Sequence, residues 1–283
     1  MPDIDIDHLR SWIGRSREVE DFVTPRLVAE YRATLAPHLA PVAEGEAPLA
    51  LHWCLGPETP AADALGPDGH AAKGGFLPPV PLPRRMWAGG EVETLGALRI
   101  GDRVVRRETV ADVAVKRGRT GTLCFVTVRH DYLTERGPAI RDRQDIVYRE
   151  ASRPGDAAPP PKPAPAEDAG NEPAWSVEAN SVLLFRYSAM TFNGHRFHYD
   201  HPYATQVEGY AGLVVHGPMQ ASLLLNLAAV RLGRVPPHFR YRGVSPMIAG
   251  SRFAVAGRRE GEGFRGWTAV GGTVCMEAEA PES

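Results

Sequence analysis

Cysteine is scarce in this 283-residue chain: Cys54, Cys124 and Cys275 stand far apart, with no CxxC pair and no histidine-rich tract. So sparse and odd a set argues against a disulfide framework or a zinc site and suits reduced thiols in apolar strand patterns. A basic block is also missing, and a net charge of -2 gives no reason to expect nucleic-acid binding. No hydrophobic run is long enough to matter for a bilayer. The best of them, Met219–Leu232, is short and broken by Gln220, Ser222, Asn226 and Arg231. The opening Met-Pro-Asp-Ile-Asp-Ile-Asp is acidic and has no apolar core, so it resembles neither a secretion signal nor a transit peptide. What remains is the expectation of a soluble, cytoplasmic protein with neither membrane nor nucleic acid as partner.

The strongest change of composition falls at 151–175, where seven prolines and seven alanines occupy 25 residues. Such a stretch has too little apolar surface to form a core element and acts as a stiff, extended tether. It separates a first half, 1–150, from a second, 176–283, each of ordinary domain size. Both halves read as α+β. In the first, Thr24-Pro25 supplies an N-cap and a first-turn proline, and Leu27, Val28, Tyr31 and Leu35 follow at helical spacing. Strand-like runs come next at Leu49/Leu51/Trp53, Val104–Lys116, Leu123–Arg129 and Asp145–Arg149, with a hairpin expected at Gly118-Arg-Thr-Gly121. In the second half Val182–Tyr187 reads as a strand. Gly217-Pro218 then opens a helix to about Leu232 that is apolar nearly all round and therefore has to be buried. Strand-like runs at Phe239–Val244, Ser251–Ala256 and Gly266–Glu279 finish the chain. One helix plus an antiparallel sheet, occurring twice, suggests a sheet wrapped round a central helix.

The densest polar cluster within an apolar frame is Tyr187-Ser-Ala-Met-Thr-Phe-Asn193-Gly-His195-Arg-Phe-His198-Tyr199-Asp200-His201. It resembles the Asp-x-Asn-Pro-Ile/Leu-His-x-Asp motif of MaoC-like hydratases and dehydratases. His198 and Asp200 match directly, whereas Asn193 stands for the first Asp, His195 for the Asn, Arg196 for the Pro and Phe197 for the aliphatic residue. Val215-His216-Gly217-Pro-Met-Gln resembles the His-Gly segment that opens that family's central helix. The first half carries Gly66-Pro-Asp68-Gly69-His70, Pro81-Leu-Pro-Arg84-Arg85-Met-Trp87-Ala-Gly-Gly and Lys116-x-Gly-Arg-x-Gly. These resemble the N-terminal domain of a sub-branch that includes mesaconyl-C4-CoA and itaconyl-CoA hydratases and mitochondrial-type 3-hydroxyacyl-thioester dehydratases. The resemblance implies an α+β double hot-dog, two antiparallel sheets each wrapped round a central helix. It also implies a hydro-lyase whose catalytic unit is the second half, the first half widening the substrate tunnel.

Adding water across an enoyl thioester needs a group to hold and deprotonate the water and a donor for the enolate oxygen. An imidazole titrates near neutrality and can act in both directions, and His198 is assigned that role. Asn193 cannot take a proton, so its amide is expected to orient the water or the 3-hydroxyl. The Gly217 N–H, at a helix start, is the expected oxyanion donor. His195 either faces the site or fills the turn that Gly194 allows. Asp200 either assists or braces the backbone after the turn. His216 either binds substrate or only caps the helix. Arg84 and Arg85 are either a solvated pair or an anion clamp for CoA phosphate or a substrate carboxylate. Trp87 and Tyr199 are candidates for lining the acyl site, though an aromatic beside glycines is also common in a core or bulge.

The expected reaction is reversible hydration of a short dicarboxylic enoyl-CoA such as mesaconyl-C4-CoA. The alternative is a 3-hydroxyacyl-ACP or -CoA dehydratase on longer chains. Rivals of other kinds are an acyl-thioester binding protein without turnover, made thinkable by Asn193, and a thioesterase. No metal and no resident cofactor is expected, since CoA or ACP arrives as substrate carrier, and the expected assembly is a homodimer.

Overall fold

A computed structural model of the chain describes residues 4–118, 121–150, 162–165 and 175–282. Strand formation follows the side-chain alternation. In β4 (Gly121–Thr134) Thr122, Cys124, Val126, Val128, His130 and Tyr132 are buried, and the residues between them are more open. β4 pairs antiparallel with β3 (Arg103–Gly118) and with β5 (Gly137–Arg149). The pairing of Gly118 with Gly121 closes the expected hairpin, whose tip at 119–120 lies outside the described residues. β1 (Ser16–Phe22) flanks β3, and β2 (Arg84–Thr94) flanks β5 with a bulge between Trp87 and Gly89.

The second half supplies β6 (Trp175–Glu178), β7 (His238–Gly243), β8 (Arg252–Glu260), β9 (Gly263–Val270) and β10 (Thr273–Ala280). The ten strands among the described residues form one sheet in the order β1-β3-β4-β5-β2-β7-β10-β9-β8-β6. Read from either edge to the middle, each half runs first, third, fourth, fifth, second. The two sheets are thus repeats of one topology, joined edge to edge where β2 pairs antiparallel with β7. The expected single run Gly266–Glu279 is a hairpin, turned at Gly271-Gly272, where both residues have positive φ.

Helix α4 (Gly217–Leu232) is the long central helix, with Met219 through Ala229 buried and β8, β9 and β10 packed around it. Gln220, Ser222 and Asn226, its fully buried polar side chains, find partners inside. Thr268 donates to Gln220 at 2.7 Å, and Asn226 accepts from Ala40 N–H at 2.9 Å while donating to Ser222 O at 2.8 Å. The first half matches it only in part. Helix α2 (Pro25–Leu35), N-capped by Thr24, buries Val28, Tyr31 and Leu35 and packs on α3 (Ser181–Met190), its topological counterpart. Where the second half has α4, the first has an irregular stretch, 36–83, holding two short 3-10 turns. The expected strand at Leu49/Leu51/Trp53 falls there and is instead a 3-10 turn, Leu51–Cys54. All four of its residues are buried, so the alternation of apolar residues carried no information. A short helix, α1 (Ile6–Arg10), and residues Val80 and Leu82 cover the rest of the first sheet.

Val182–Tyr187, expected as a strand, lies in helix α3. Asn180 caps it by accepting from Leu183 N–H at 2.9 Å, and burial of Leu184 and Tyr187 has the helical i, i+3 spacing. Most of the expected 151–175 tether lies outside the described residues. Its 162–165 piece runs along the end of β10, with Pro163 bridging Thr273 and Ala164 N–H donating to Gly272 O at 2.7 Å. Among the described residues no helix is long and apolar enough to cross a membrane.

Candidate active site

The Asn193–Asp200 segment turns directly out of α3. Asn193 Oδ1 accepts the His195 N–H at 2.9 Å, an Asx turn, and a 3-10 turn follows at Arg196–His198. This delivers His198 under α4, where its Nδ1 lies 2.7 Å from Val214 O. A carbonyl only accepts, so Nδ1 carries the hydrogen and Nε2 presents its lone pair. The His216 ring stacks on His198 with centroids 3.5 Å apart and planes 14° apart, and its Nε2 lies 2.8 Å from Ser188 Oγ. His216 therefore braces the His198 ring, and its side chain does not cap α4. Burial, then the charges of His216 and His195, hold His198 well below the usual imidazole range, so it is neutral and able to accept a proton. Gly217 opens α4 next to this stack, its N–H one of the first-turn donors without a helical partner. A Cβ there would come within 3.2 Å of the Trp87 ring, so Trp87 covers the helix start and would have to shift by a few tenths of an ångström to admit a side chain.

The irregular stretch of the first half reaches into the same place. Arg196 N–H donates to Asp68 O at 2.9 Å and Arg196 Nη1 to Pro67 O at 3.1 Å, docking the 66–70 loop on the His195 turn. His70 Nδ1 lies 3.0 Å from Asp68 Oδ2, and the His70 ring lies 4.3 Å from that of His195. Burial pushes His70 down to about 3, with Asp68 opposing. Asp68, which burial alone would raise, is held below its ordinary value by its hydrogen bonds and charge interaction with His70. The pair is thus a carboxylate accepting from a neutral imidazole. Asp68, His70 and His195 each bring one potential ligand atom within 4.8 Å of the others, so this set is also where a divalent cation would fit.

The remaining expected residues separate by partner. His195 stacks on Phe197 at 3.6 Å and is buried between the two loops, so it lies inside the site and not merely within a turn. Asp200 accepts from Arg196 at 2.7 Å and from Tyr203 N–H at 3.1 Å, a bracing role. Tyr199 is half exposed and donates to Gly194 O at 2.9 Å, which ties its hydroxyl to the turn instead of to the acyl site. Arg84 is buried 3.7 Å from Glu208, with its guanidinium 5.4 Å from the Tyr210 ring, so its charge is committed to the protein. The anion-clamp expectation for the arginine pair therefore passes to Arg85. Arg85 is half-buried, is in no ion pair among the described residues, and lies close enough to lower both Asp68 and His70. Trp87 packs edge-on to Trp53 at 5.3 Å and lies 4.9 Å from Tyr241, at the join of the two halves.

The sequence pattern described as hydroxyacyl-thioester dehydratase type 2 matches residues 50–249, which include both loops of the site. The mesaconyl-C(4)-CoA hydratase of Chloroflexus aurantiacus is 39% identical over 273 residues, 96% of this chain and 93% of that one. The chain belongs to the hydroxyacyl-thioester dehydratase type 2 family. As a member it is a hydro-lyase that hydrates and dehydrates acyl thioesters, which sets aside the binding-protein and thioesterase rivals. Solved structures agree on the fold. A MaoC-like dehydratase from Phytophthora capsici superposes with a TM-score of 0.67 at 14% identity, covering 99% of both chains. A Mycobacterium tuberculosis protein described as having a double hot-dog fold superposes with a TM-score of 0.54 at 13% identity, covering 94% of both.

Three residues that this dehydratase family member brings to the site were given no site role from sequence: Asp68, His70 and Glu208. Glu208 stands 3.7 Å from His195 Nε2 on one side and from Arg84 on the other. The signal for the first two was the Gly66-Pro-Asp-Gly-His turn, whose acid and imidazole sit two residues apart. Nothing local marks Glu208.

So many buried imidazoles make stability depend on pH. Burial pushes His52, His70 and His216 each down to about 3, and His198 well below its ordinary value. In the unfolded chain a histidine protonates near pH ~6.5. Between there and about pH 3 the unfolded state binds more protons, so stability is full above the window and lost as pH falls through it. A melting series is expected to show a flat Tm between about pH 7 and 8 and a steady fall below about 6.5. A Tm unchanged down to about pH 4.5 would contradict burial of these rings as neutral groups.

Proposed function

We propose that this hydro-lyase acts on a short dicarboxylic enoyl-CoA, hydrating the double bond with His198 as the acid/base group. The observation that carries the chemistry is the fixed tautomer of His198. With Nδ1 tied to Val214 O, Nε2 takes a proton from water as the oxygen bonds to C3 and returns it to C2. The electron pair of the double bond passes meanwhile onto the thioester oxygen, and the Gly217 N–H, at the start of α4, is the donor proposed to meet it. Asn193, with its carbonyl engaged by the turn, has only its NH2 left to offer the 3-hydroxyl.

Two things favour a dicarboxylic substrate. The Chloroflexus relative is named for one, and Arg85, in no ion pair among the described residues, is close enough for its charge to disfavour protonation of His70. In a butenedioyl thioester the free carboxylate is attached to the carbon that receives water, so its clamp has to stand near the proton-transfer groups, and Arg85 is the arginine whose charge reaches His70. CoA is the carrier in this proposal, with one site per chain, no resident cofactor and the 1–150 half widening the tunnel. The protein is taken to be a cytoplasmic homodimer. The deciding experiment follows loss of the conjugated thioester absorbance across enoyl-CoAs with and without the distal carboxylate. Arg85→Gln is expected to cut kcat/KM for the dicarboxylic substrates about 10- to 100-fold, the loss of about 1.5–3 kcal/mol for a charged hydrogen bond, and to spare the monocarboxylic ones. Equal losses on both sets would remove Arg85 from substrate recognition. Turnover of long-chain substrates alone would favour the longer-chain dehydratase.

A further inference from the structure

The water that adds to C3 has two hydrogens, and His198 Nε2, with one lone pair, accepts only one of them. The other acceptor that the motif offers, Asn193 Oδ1, spends one of its two lone pairs on the His195 N–H at 2.9 Å, within its own turn. His195 Nε2 is buried without a hydrogen-bond partner and faces Glu208 at 3.7 Å. A further acceptor in the same histidine cluster comes from the other half of the chain. His70 Nδ1 donates to Asp68 Oδ2 at 3.0 Å, which leaves the His70 Nε2 lone pair free, and the ring packs against His195 within the same cluster as His198. Neither His70 Nε2 nor His198 Nε2 has a protein partner among the described residues. Unlike His195 Nε2, neither is sealed inside the protein.

We propose that His70, held by Asp68, is a catalytic residue of the hydration: it accepts the second hydrogen of the attacking water and completes the active site from the first half. The assignment rests on the function proposed above. In the addition step the water O–H bond to His198 Nε2 breaks as C3–O forms, and that proton then moves to C2. The hydrogen bond to His70 persists and points an oxygen lone pair at C3. Asp68 strengthens His70 as an acceptor by stabilising positive charge on its ring, and fixes which nitrogen bears the hydrogen. The site is therefore shared between the halves, and the lost regularity of 36–83 is what lets the Asp68–His70 loop reach it.

The test is Asp68→Asn beside His70→Ala, in the full chain, with a short dicarboxylic enoyl-CoA as probe. Asp68→Asn keeps the size of the side chain, but the new amide donates its NH2 to His70 Nδ1, so the ring switches tautomer and Nε2 becomes a donor. Loss of kcat by about 10²- to 10³-fold with KM within about threefold is expected for it. His70→Ala is expected to lose as much and to recover part of it with added imidazole, a rescue that a merely structural ring would not give. Wild-type turnover with Asp68→Asn within about threefold of it in kcat overturns the assignment and leaves the proposed function standing. A His70→Ala loss that imidazole does not restore overturns it too. Activity abolished by a chelator and restored by a divalent cation overturns it in favour of Asp68, His70 and His195 as metal ligands. A wild type inactive on every enoyl-CoA removes the proposed function and this role together.

Discussion

Replacing His198 by alanine is expected to lower kcat by about 10³-fold, within the 10²–10⁴ range of a positioned acid/base group, with a small change in KM. The size of the loss follows from how few groups there can move a proton. Asn193 has no titratable proton, Asp200 is tied to Arg196, His216 is a brace whose Nε2 is held by Ser188, and His70 holds the second water hydrogen without passing a proton to C2. His198→Gln should be nearly as inactive, since an amide can hold a water hydrogen but cannot carry the proton to C2. His216→Ala separates support from chemistry. It removes the stacked ring and leaves the Val214 O contact, so a loss of about tenfold is expected. The measurement is steady-state hydration followed at the enoyl-thioester absorbance, with a thermal melt of each variant to confirm folding. A His198→Ala protein with wild-type kcat would remove His198 from the reaction.

How much of this could be read from the chain differs from residue to residue. His198, His216 and Gly217 lie within 20 residues of one another, on a turn and a helix start whose geometry short-range sequence dictates, so their neighbourhood was legible. The helix α4 was legible too, because an apolar surface all round leaves burial as its only option. Asp68 and His70 lie more than 120 residues from His195, and only the edge-to-edge joining of two repeated sheets brings them together. Arg84 and Arg85 look alike in sequence. On a strand, neighbours point to opposite faces, so one meets Glu208 and the other does not. The α3 error has a local cause: Val-Leu-Leu-Phe has strand-like propensity, and the capping Asn180 that decides the matter is a single residue before it. Loss of a central helix in the first half could not be read from composition, because buried irregular chain such as 51–54 is as apolar as a strand.

The joint between the halves yields the largest expected effect on stability, at Gly69. Its φ is +87°, and a Cβ built there would stand 2.0 Å from the carbonyl oxygen of Gly194; a Cβ on Gly194 would stand 2.7 Å from Gly69 O. Backbone meets backbone at this point, so no flexible side chain can give way. Gly69→Ala has to absorb left-handed strain of about 1–3 kcal/mol and overpacking of about 1–3 kcal/mol more, or undock the loop. A fall in Tm on the order of 10 °C is expected for a chain of this size. Gly96→Ala, where nothing lies within 4 Å, should leave Tm unchanged. Activity separates the two ways of absorbing the clash. If the loop undocks, Asp68 and His70 leave the site with it, and kcat falls by about as much as in Asp68→Asn even at temperatures where the variant is fully folded. If instead the Asn193–His195 turn yields, His198 is displaced through Arg196 and kcat falls further. A Gly69→Ala protein with wild-type Tm and kcat would show that the two loops do not touch, and the shared site would go with that contact.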